Sequence, residues 1–257
     1  GLFNRVSLNL DQAGQAWQPT DERLEYYKAG NPDNDLEALY FQYGRYLLQS
    51  ASRPGSLPAN LQGKWNDSTA PKWASDYHAN INIQMIYWLA EVGNLPEVHT
   101  PLIDYIDRLR PPGGVTARDF FNARGWTVNV ANNIFGYTAP GWDLPWGFFP
   151  SGGAWSARHV WEHYQYSMDE DYLRHRCYPI LHDSALFWLD HLTEVGDGYL
   201  TSSPSYSPEH GTISAGAYMD VEIVWDLFTN TLAAAAVLGI DDEFTRAVAA
   251  ASARLLP

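Results

Sequence analysis

Asp35-Leu36-Glu37-Ala38-Leu39-Tyr40-Phe41-Gln42-Tyr43-Gly44-Arg45-Tyr46-Leu47-Leu48 sets Leu36, Leu39, Tyr40, Tyr43 and Leu47 at three- and four-residue steps. That spacing is one face of an α-helix. The run stops at Arg53-Pro54-Gly55, where proline and glycine together end a helix. The same periodicity recurs over residues 82–92, 96–110, 154–167, 170–194, 217–238 and 241–254. No alternating strand pattern separates these runs, which argues against a βαβ architecture. Long stretches rich in Gly, Pro and Trp lie between them, at 56–77, 125–153 and 198–216. Structureless connections of that length are uncommon in compact domains and usually functional. The pattern predicts an all-α toroid or solenoid over 34–257, with its chemistry on the loops at one end. Residues 1–33 mix an alternating segment, Val6-Ser7-Leu8-Asn9-Leu10, with Gly and Pro, and read as an extended linker into that body.

Composition narrows the class of function. With 46% hydrophobic and 18% charged residues the chain is globular, well away from the disordered range. A formal net charge of -14 repels phosphate backbones, so no nucleic-acid partner is expected. No run of 18 apolar residues occurs, and no membrane span is expected. The single cysteine, Cys177, excludes an internal disulfide; in a helical pattern beside arginines it reads as structural. Eleven Trp, 16 Tyr and 10 Phe either fill a large core or wall a cleft for sugars, whose flat C–H faces stack on rings. Gly1-Leu2-Phe3-Asn4-Arg5-Val6 has no signal-peptide pattern, and the chain stops at Leu255-Leu256-Pro257 directly after a helical run. It is expected to be a fragment of a longer protein.

Three places could carry chemistry. In Ser203-Pro204-Ser205-Tyr206-Ser207-Pro208-Glu209-His210-Gly211 two prolines stiffen the backbone and keep it out of a helix. A carboxylic acid desolvated by neighbouring rings holds its proton more tightly, which suits a general acid. The competing reading makes Pro208 and Glu209 the first turn of a short helix, where an acid favours the dipole. In His78-Ala79-Asn80-Ile81-Asn82 the two asparagines share a side only in extended chain. Two amides could then hold a water without adding charge; the competing reading is a helix cap. Finally, His159-Val160-Trp161-Glu162-His163 matches an inverted zinc motif. A zinc enzyme needs a third protein ligand, for which Glu222 and Glu243 are the downstream carboxylates. Nothing marks either one, and no metal or cofactor is expected. The chain has no nucleophile elbow, P-loop or dinucleotide fingerprint.

Longer motifs carry a resemblance. Pro19-Thr20-Asp21-Glu22-Arg23-Leu24, Leu39 to Leu48, Arg53 to Asn66, Asn80-Ile81-Asn82, Gly152-Gly153-Ala154-Trp155 with His159 to Tyr164, and Ser203 to Glu209 together resemble glycoside hydrolase family 95 over nearly the whole chain. The resemblance implies an (α/α)6 barrel, incomplete in this chain, carrying an inverting exo-acting α-L-fucosidase for α-1,2-linked glycans. It implies Glu209 as general acid, and Asn80 and Asn82 as the residues that position the water. It sets His78 beside the sugar, His going with L-fucose and Thr with L-galactose, and makes Trp142, Trp146, Trp155 and His159 candidates for the sugar pocket. An α-L-galactosidase on the same scaffold and a non-catalytic sugar-binding fragment are the alternatives. The family's base aspartate lies in a Gln-Ile-Asp-Gly-Asn-like segment that this chain does not contain; Asp220 and Asp226 sit in another motif. The base is therefore expected beyond Pro257, and the isolated chain is expected to be inactive. Flanking domains and a secreted or periplasmic location are expected for the complete protein.

Overall fold

The computed structural model describes residues 1–11 and 16–256. Residues 12–15 of the expected linker, and Pro257, lie outside the described residues. After a 3-10 turn over Leu2–Arg5 come α1 (Thr20–Lys28) and α2 (Asn34–Ala51), then strand β1 (Tyr77–His78). Next are α3 (Asn82–Tyr87), α4 (Leu89–Val92), α5 (Pro96–Phe121), β2 (Ala131–Asn132), α6 (Leu144–Gly147) and α7 (Gly152–Ser167). The third group is α8 (Glu170–Tyr172), a π turn over Leu173–Cys177, α9 (Tyr178–His191), β3 (Leu192–Glu194), β4 (Leu200–Ser202), α10 (Tyr218–Leu238) and α11 (Glu243–Ser252). The two small sheets are antiparallel pairs, β1 with β2 and β3 with β4.

The core lies where α5, α7, α9 and α10 pack on one another. Ile103, Ile106, Val160, Ile180, Leu181, Phe187, Trp188, Val224 and Phe228 are buried together there, each worth about 1.5–3 kcal/mol of apolar transfer. Cys177 is buried with them, and burial pushes its thiol up, as a structural cysteine requires. By length and composition α10 could cross a membrane. It packs against α7, α9 and α11 and carries Asp220, Glu222 and Asp226 in its first half.

The expected extended linker is corrected in two places. α1 forms inside it, polar on every side, with Arg23 as its buried residue. The Arg23 guanidinium donates Nε and Nη2 to the two carboxylate oxygens of Asp33 at 2.9 and 2.8 Å. An ion pair, not an apolar stripe, seats this helix, so periodicity has nothing to detect. The Leu2–Arg5 turn is held by buried Arg45, which donates to the Phe3 and Gly93 carbonyls, both at 2.9 Å. Periodicity identified α2 but not its buried side: Leu36, Arg45, Leu48 and Ala51 face inward, while Leu39, Tyr40 and Tyr43 are exposed.

Helix α5 also runs on to Phe121, past the stop expected at 110, through Pro111, Pro112, Gly113 and Gly114. A proline inside a free helix costs about 3 kcal/mol or more. Packing overrides it here: Thr116 and Ala117 are buried beyond the prolines, and the Thr127 N–H donates to the Gly113 carbonyl at 3.3 Å.

His191, at the end of α9, stacks on Phe187 at 5.2 Å, and burial lowers its pKa to about 4. With an ordinary value near 6.5, the unfolded chain binds this proton first as pH falls. Stability is therefore lost between about pH 6.5 and 4. At pH 4.5 the loss from this group is about 2–3 kcal/mol. Urea denaturation should find His191→Phe gaining on the parent by that amount between pH 7 and 4.5. A constant difference would show that His191 does not titrate this way.

Candidate active site

The loops entering α3, α7 and α10 converge on a cavity of about 510 Å³. It is lined by Leu61, Trp73, Ala74, His78, Asn82, Val130, Trp142, Asp143, Trp146 and Glu209. Five of the residues singled out from sequence thus meet in one place: Glu209, Asn82, His78, Trp142 and Trp146.

Glu209 arrives on the loop between β4 and α10. Ser205 and Ser214 exchange backbone hydrogen bonds at 2.8 Å in both directions, pinching this loop at its neck and leaving Glu209 at its exposed tip. The His210 N–H bonds the Ser207 carbonyl in a turn, so the short helix that competed for Pro208 and Glu209 does not form. Tyr206 turns inward and is 1% exposed.

His78 reaches the cavity from β1, where it pairs with Ala131. Its ring meets Trp142 edge-on at 5.5 Å, and its Nε2 is buried without a hydrogen-bond partner. Burial lowers the His78 pKa, and the Glu209 charge opposes that. Asn82 is the first residue of α3, and the residue capping this helix is Ile81 with no side-chain hydrogen bond. The asparagine-cap reading therefore fails. Asn80 is 7% exposed and its Oδ1 is buried without a partner, an unmet acceptor that ordinarily costs 1–3 kcal/mol or so. Its side chain is not part of the cavity lining.

On the Trp142–Trp146 segment a Cβ at Gly147 would stand 1.5 Å from the Gly141 carbonyl oxygen. Only glycine lets α6 close on residue 141, which brings the Trp142 and Trp146 ends of the loop together. Sequence reasoning missed Asp143 and Trp73. Trp73, Ala74 and Ser75 hold three successive left-handed conformations, φ 49°, 56° and 54°, each costing roughly 1–2 kcal/mol. Strain of this kind collects at functional sites, but no glycine or asparagine announces it in Pro71-Lys72-Trp73-Ala74-Ser75.

Trp155 and His159 are not brought to this cavity. They lie on α7 and line a second one of about 440 Å³ with Trp88, Arg158, Glu162, Glu222 and Asp226. The two carboxylates considered as substitutes for the base are otherwise engaged. Asp226 takes the Arg158 guanidinium at 2.6 Å and the Asn230 amide at 2.9 Å. Asp220 is fully buried under two serine hydroxyls.

The inverted zinc motif resolves differently. Its third partner is Glu91, not Glu222 or Glu243: the Glu91, His99 and His163 ligand atoms lie within 4.8 Å of one another. Glu91 Oε1 accepts from His163 Nδ1 at 2.6 Å and His99 Nδ1 at 2.7 Å. Buried His159 Nδ1 and His99 Nε2 share a hydrogen bond at 3.0 Å. Donors sharing a tetrahedral zinc at about 2.0 Å would stand roughly 3.3 Å apart, so these separations are those of hydrogen bonds. Burial pushes Glu91 up, but the two histidines together hold its carboxyl below the usual range.

With the geometry in place, four likenesses bear on it. The glycosyl hydrolase family 95 catalytic domain matches residues 1–257. Alpha-L-fucosidase 2 of Arabidopsis thaliana is 40% identical over 272 residues, covering 100% of this chain and 32% of that protein. Probable alpha-fucosidase A of Aspergillus niger is 41% identical over 253 residues, covering 94% and 32%. The chain thus spans about a third of the length of these relatives. Among solved structures, a putative kojibiose phosphorylase from the human microbiome superposes with a TM-score of 0.67 at 11% identity, over 84% of this chain and 30% of that one. That likeness is one of fold, an (α/α)6 toroid.

Because the Glu209 charge raises the His78 pKa against burial, Glu209→Gln should lower it further. An NMR titration of His78 in the two proteins checks this. An unchanged His78 midpoint would mean that the two side chains do not share the cavity in solution.

Proposed function

The chain belongs to glycosyl hydrolase family 95, and from that membership we propose that it carries the acid side of an inverting α-L-fucosidase site. The observation that carries the reading is the shared cavity of Glu209, Asn82, His78, Trp142 and Trp146. Its volume suits a monosaccharide, and most small-ligand sites combine aromatic walls with a few polar groups in this way. Trp142 and Trp146 offer ring faces to the C–H face of the sugar. The unpartnered His78 Nε2 offers a hydrogen bond to one of its oxygens.

In the reaction, the Glu209 carboxylic acid gives its proton to the glycosidic oxygen as the bond from C1 to that oxygen breaks. Acid assistance of this kind contributes about 10²–10⁴-fold. A water on the opposite face attacks C1 and inverts its configuration. Asn82, which lines the cavity, holds this water, and its contribution is one of position; the Asn80 side chain, two residues earlier, stands behind the lining. The base that takes the water's proton stands about 6.5–9.5 Å from the acid in inverting enzymes. On this reading the base belongs to a segment other than residues 1–257. The substrate is a glycan ending in α-1,2-linked L-fucose, and His78 lies towards C6 of the sugar.

Three measurements test this reading in the whole protein. Glu209→Gln should reduce kcat on a 2'-fucosylated oligosaccharide by about 10²–10⁴-fold, and far less on an aryl fucoside whose leaving group needs no proton. Equal losses would remove Glu209 from the acid role. His78→Thr should move the ratio of kcat/KM from L-fucosides toward L-galactosides; an unchanged ratio would separate His78 from C6. Residues 1–257 alone, shown to be folded, should not turn the oligosaccharide over. Comparable turnover would put the base within this chain, with Asp143 of the cavity as first suspect.

A further inference from the structure

Asp220 has an environment that stability alone does not explain. It is 0% exposed, and no lysine, arginine or histidine pairs with it among the described residues. A buried carboxylate without a cation is costly unless hydrogen bonds replace its water. Two do so here. Ser151 Oγ donates to Asp220 Oδ1 at 2.5 Å, and Ser205 Oγ donates to Oδ2 at 2.6 Å, in the range of charge-assisted O–H···O bonds. Burial raises the Asp220 pKa, and the hydroxyls of Ser151, Ser205 and nearby Ser202 work against that rise.

The two serines stand behind the cavity, on the two segments that supply Glu209 and the tryptophans to its lining. Ser205 is the neck residue of the Glu209 loop. Its backbone exchanges hydrogen bonds with Ser214, and its hydroxyl accepts from the Ala217 N–H at 3.0 Å, which fastens both strands of the neck to the start of α10. Ser151 immediately precedes α7, with no side-chain capping bond to it, and ends the segment that runs from Trp142 and Trp146 through buried Phe149. Asp220 sits in the first turn of α10, a rigid 21-residue helix. One carboxylate on that helix therefore grips the acid loop with one oxygen and the tryptophan wall with the other.

We propose that Asp220 is the positioning residue of this site, fixing the Glu209 loop against the Trp142–Trp146 wall through Ser205 and Ser151. It does not touch the sugar and takes no proton from it. It decides how far the acid stands from a glycosidic oxygen whose sugar ring lies on the tryptophans. The inference rests on the reading of Glu209 as general acid. Protein termini and surface loops tolerate misplacement, but a shift of 1 Å in a catalytic group can cost about 10²-fold.

The experiment is a leaving-group comparison in the whole protein with Asp220→Asn, Ser205→Ala, Glu209→Gln and the Asp220→Asn/Glu209→Gln pair. Asp220→Asn keeps the shape but puts an amide N–H₂ against a serine that now has no acceptor there. It should lower kcat on a 2'-fucosylated oligosaccharide by about 10–100-fold with KM little changed, and lower it much less on an activated aryl fucoside. In the Glu209→Gln background it should add less than about twofold, because residues acting through one another are not additive. Ser205→Ala leaves the bond to Ser151 intact and should show the same selective loss at smaller size; it decides alone if Asp220→Asn does not fold. Equal losses on both substrates, or losses that multiply in the paired variant, would make Asp220 a residue of stability only and overturn the proposal. Should Glu209→Gln itself lack the leaving-group signature, the acid assignment falls and the proposal falls with it. If Glu209→Gln has the signature and neither Asp220→Asn nor Ser205→Ala does, the proposal alone is overturned.

Discussion

Glu91 holds three helices with one oxygen. It stands on α4, and its Oε1 accepts from His99 on α5 and from His163 on α7, while His159, one turn earlier on α7, closes the chain at His99. The group is buried, where an unpaired charge would cost several kcal/mol. A shift of α4, α5 or α7 that broke these bonds would leave that carboxylate or an imidazole unmet. The apolar contacts around it are permissive, since hydrophobic burial has no direction. The histidine chain is directional, and it sets how the three helices face one another.

With the helices set, the site is made by what enters them. Asn82 begins α3, Trp146 and Ser151 lie just ahead of α7, and Glu209 lies ahead of α10. Loops carry the chemistry and a packed scaffold positions them. The same division appears in the two buried carboxylates. Glu91, partnered by imidazoles, ties helices to helices. Asp220, partnered by hydroxyls, ties loops to a helix. Strain is placed on the loop side as well, in the left-handed run Trp73–Ser75 on the rim of the cavity.

Some of this was legible beforehand, for identifiable reasons. α7, α10 and α11 follow a regular apolar spacing and their bounds emerge within two residues of expectation. α1 was invisible because its buried contact is an ion pair, Arg23 with Asp33. α5 was cut short because local rules stop a helix at Pro111-Pro112-Gly113-Gly114 and know nothing of the Thr127 contact that carries it further. The histidine motif on α7 matched a zinc pattern whose third ligand nothing marked; its hydrogen-bond partners, Glu91 and His99, are 72 and 60 residues away from His163 and His159.

By itself the sequence determined the class of fold, the long loops, and five side chains of the cavity, through periodicity, through proline and glycine punctuation and through motif resemblance. All three are local signals: they depend on residues a few positions apart. Tertiary structure decided which side of α2 is buried, that Trp155 and His159 lie at a second cavity, that Asp143 and Trp73 join the first, and that Asp220 is closed to water. These depend on where distant segments meet. A carboxylate's role is set by its partners: Asp220 is shut away by Ser151, 69 positions distant, and Glu209 is left open at a loop tip. Nothing in the residues beside either acid specifies that difference.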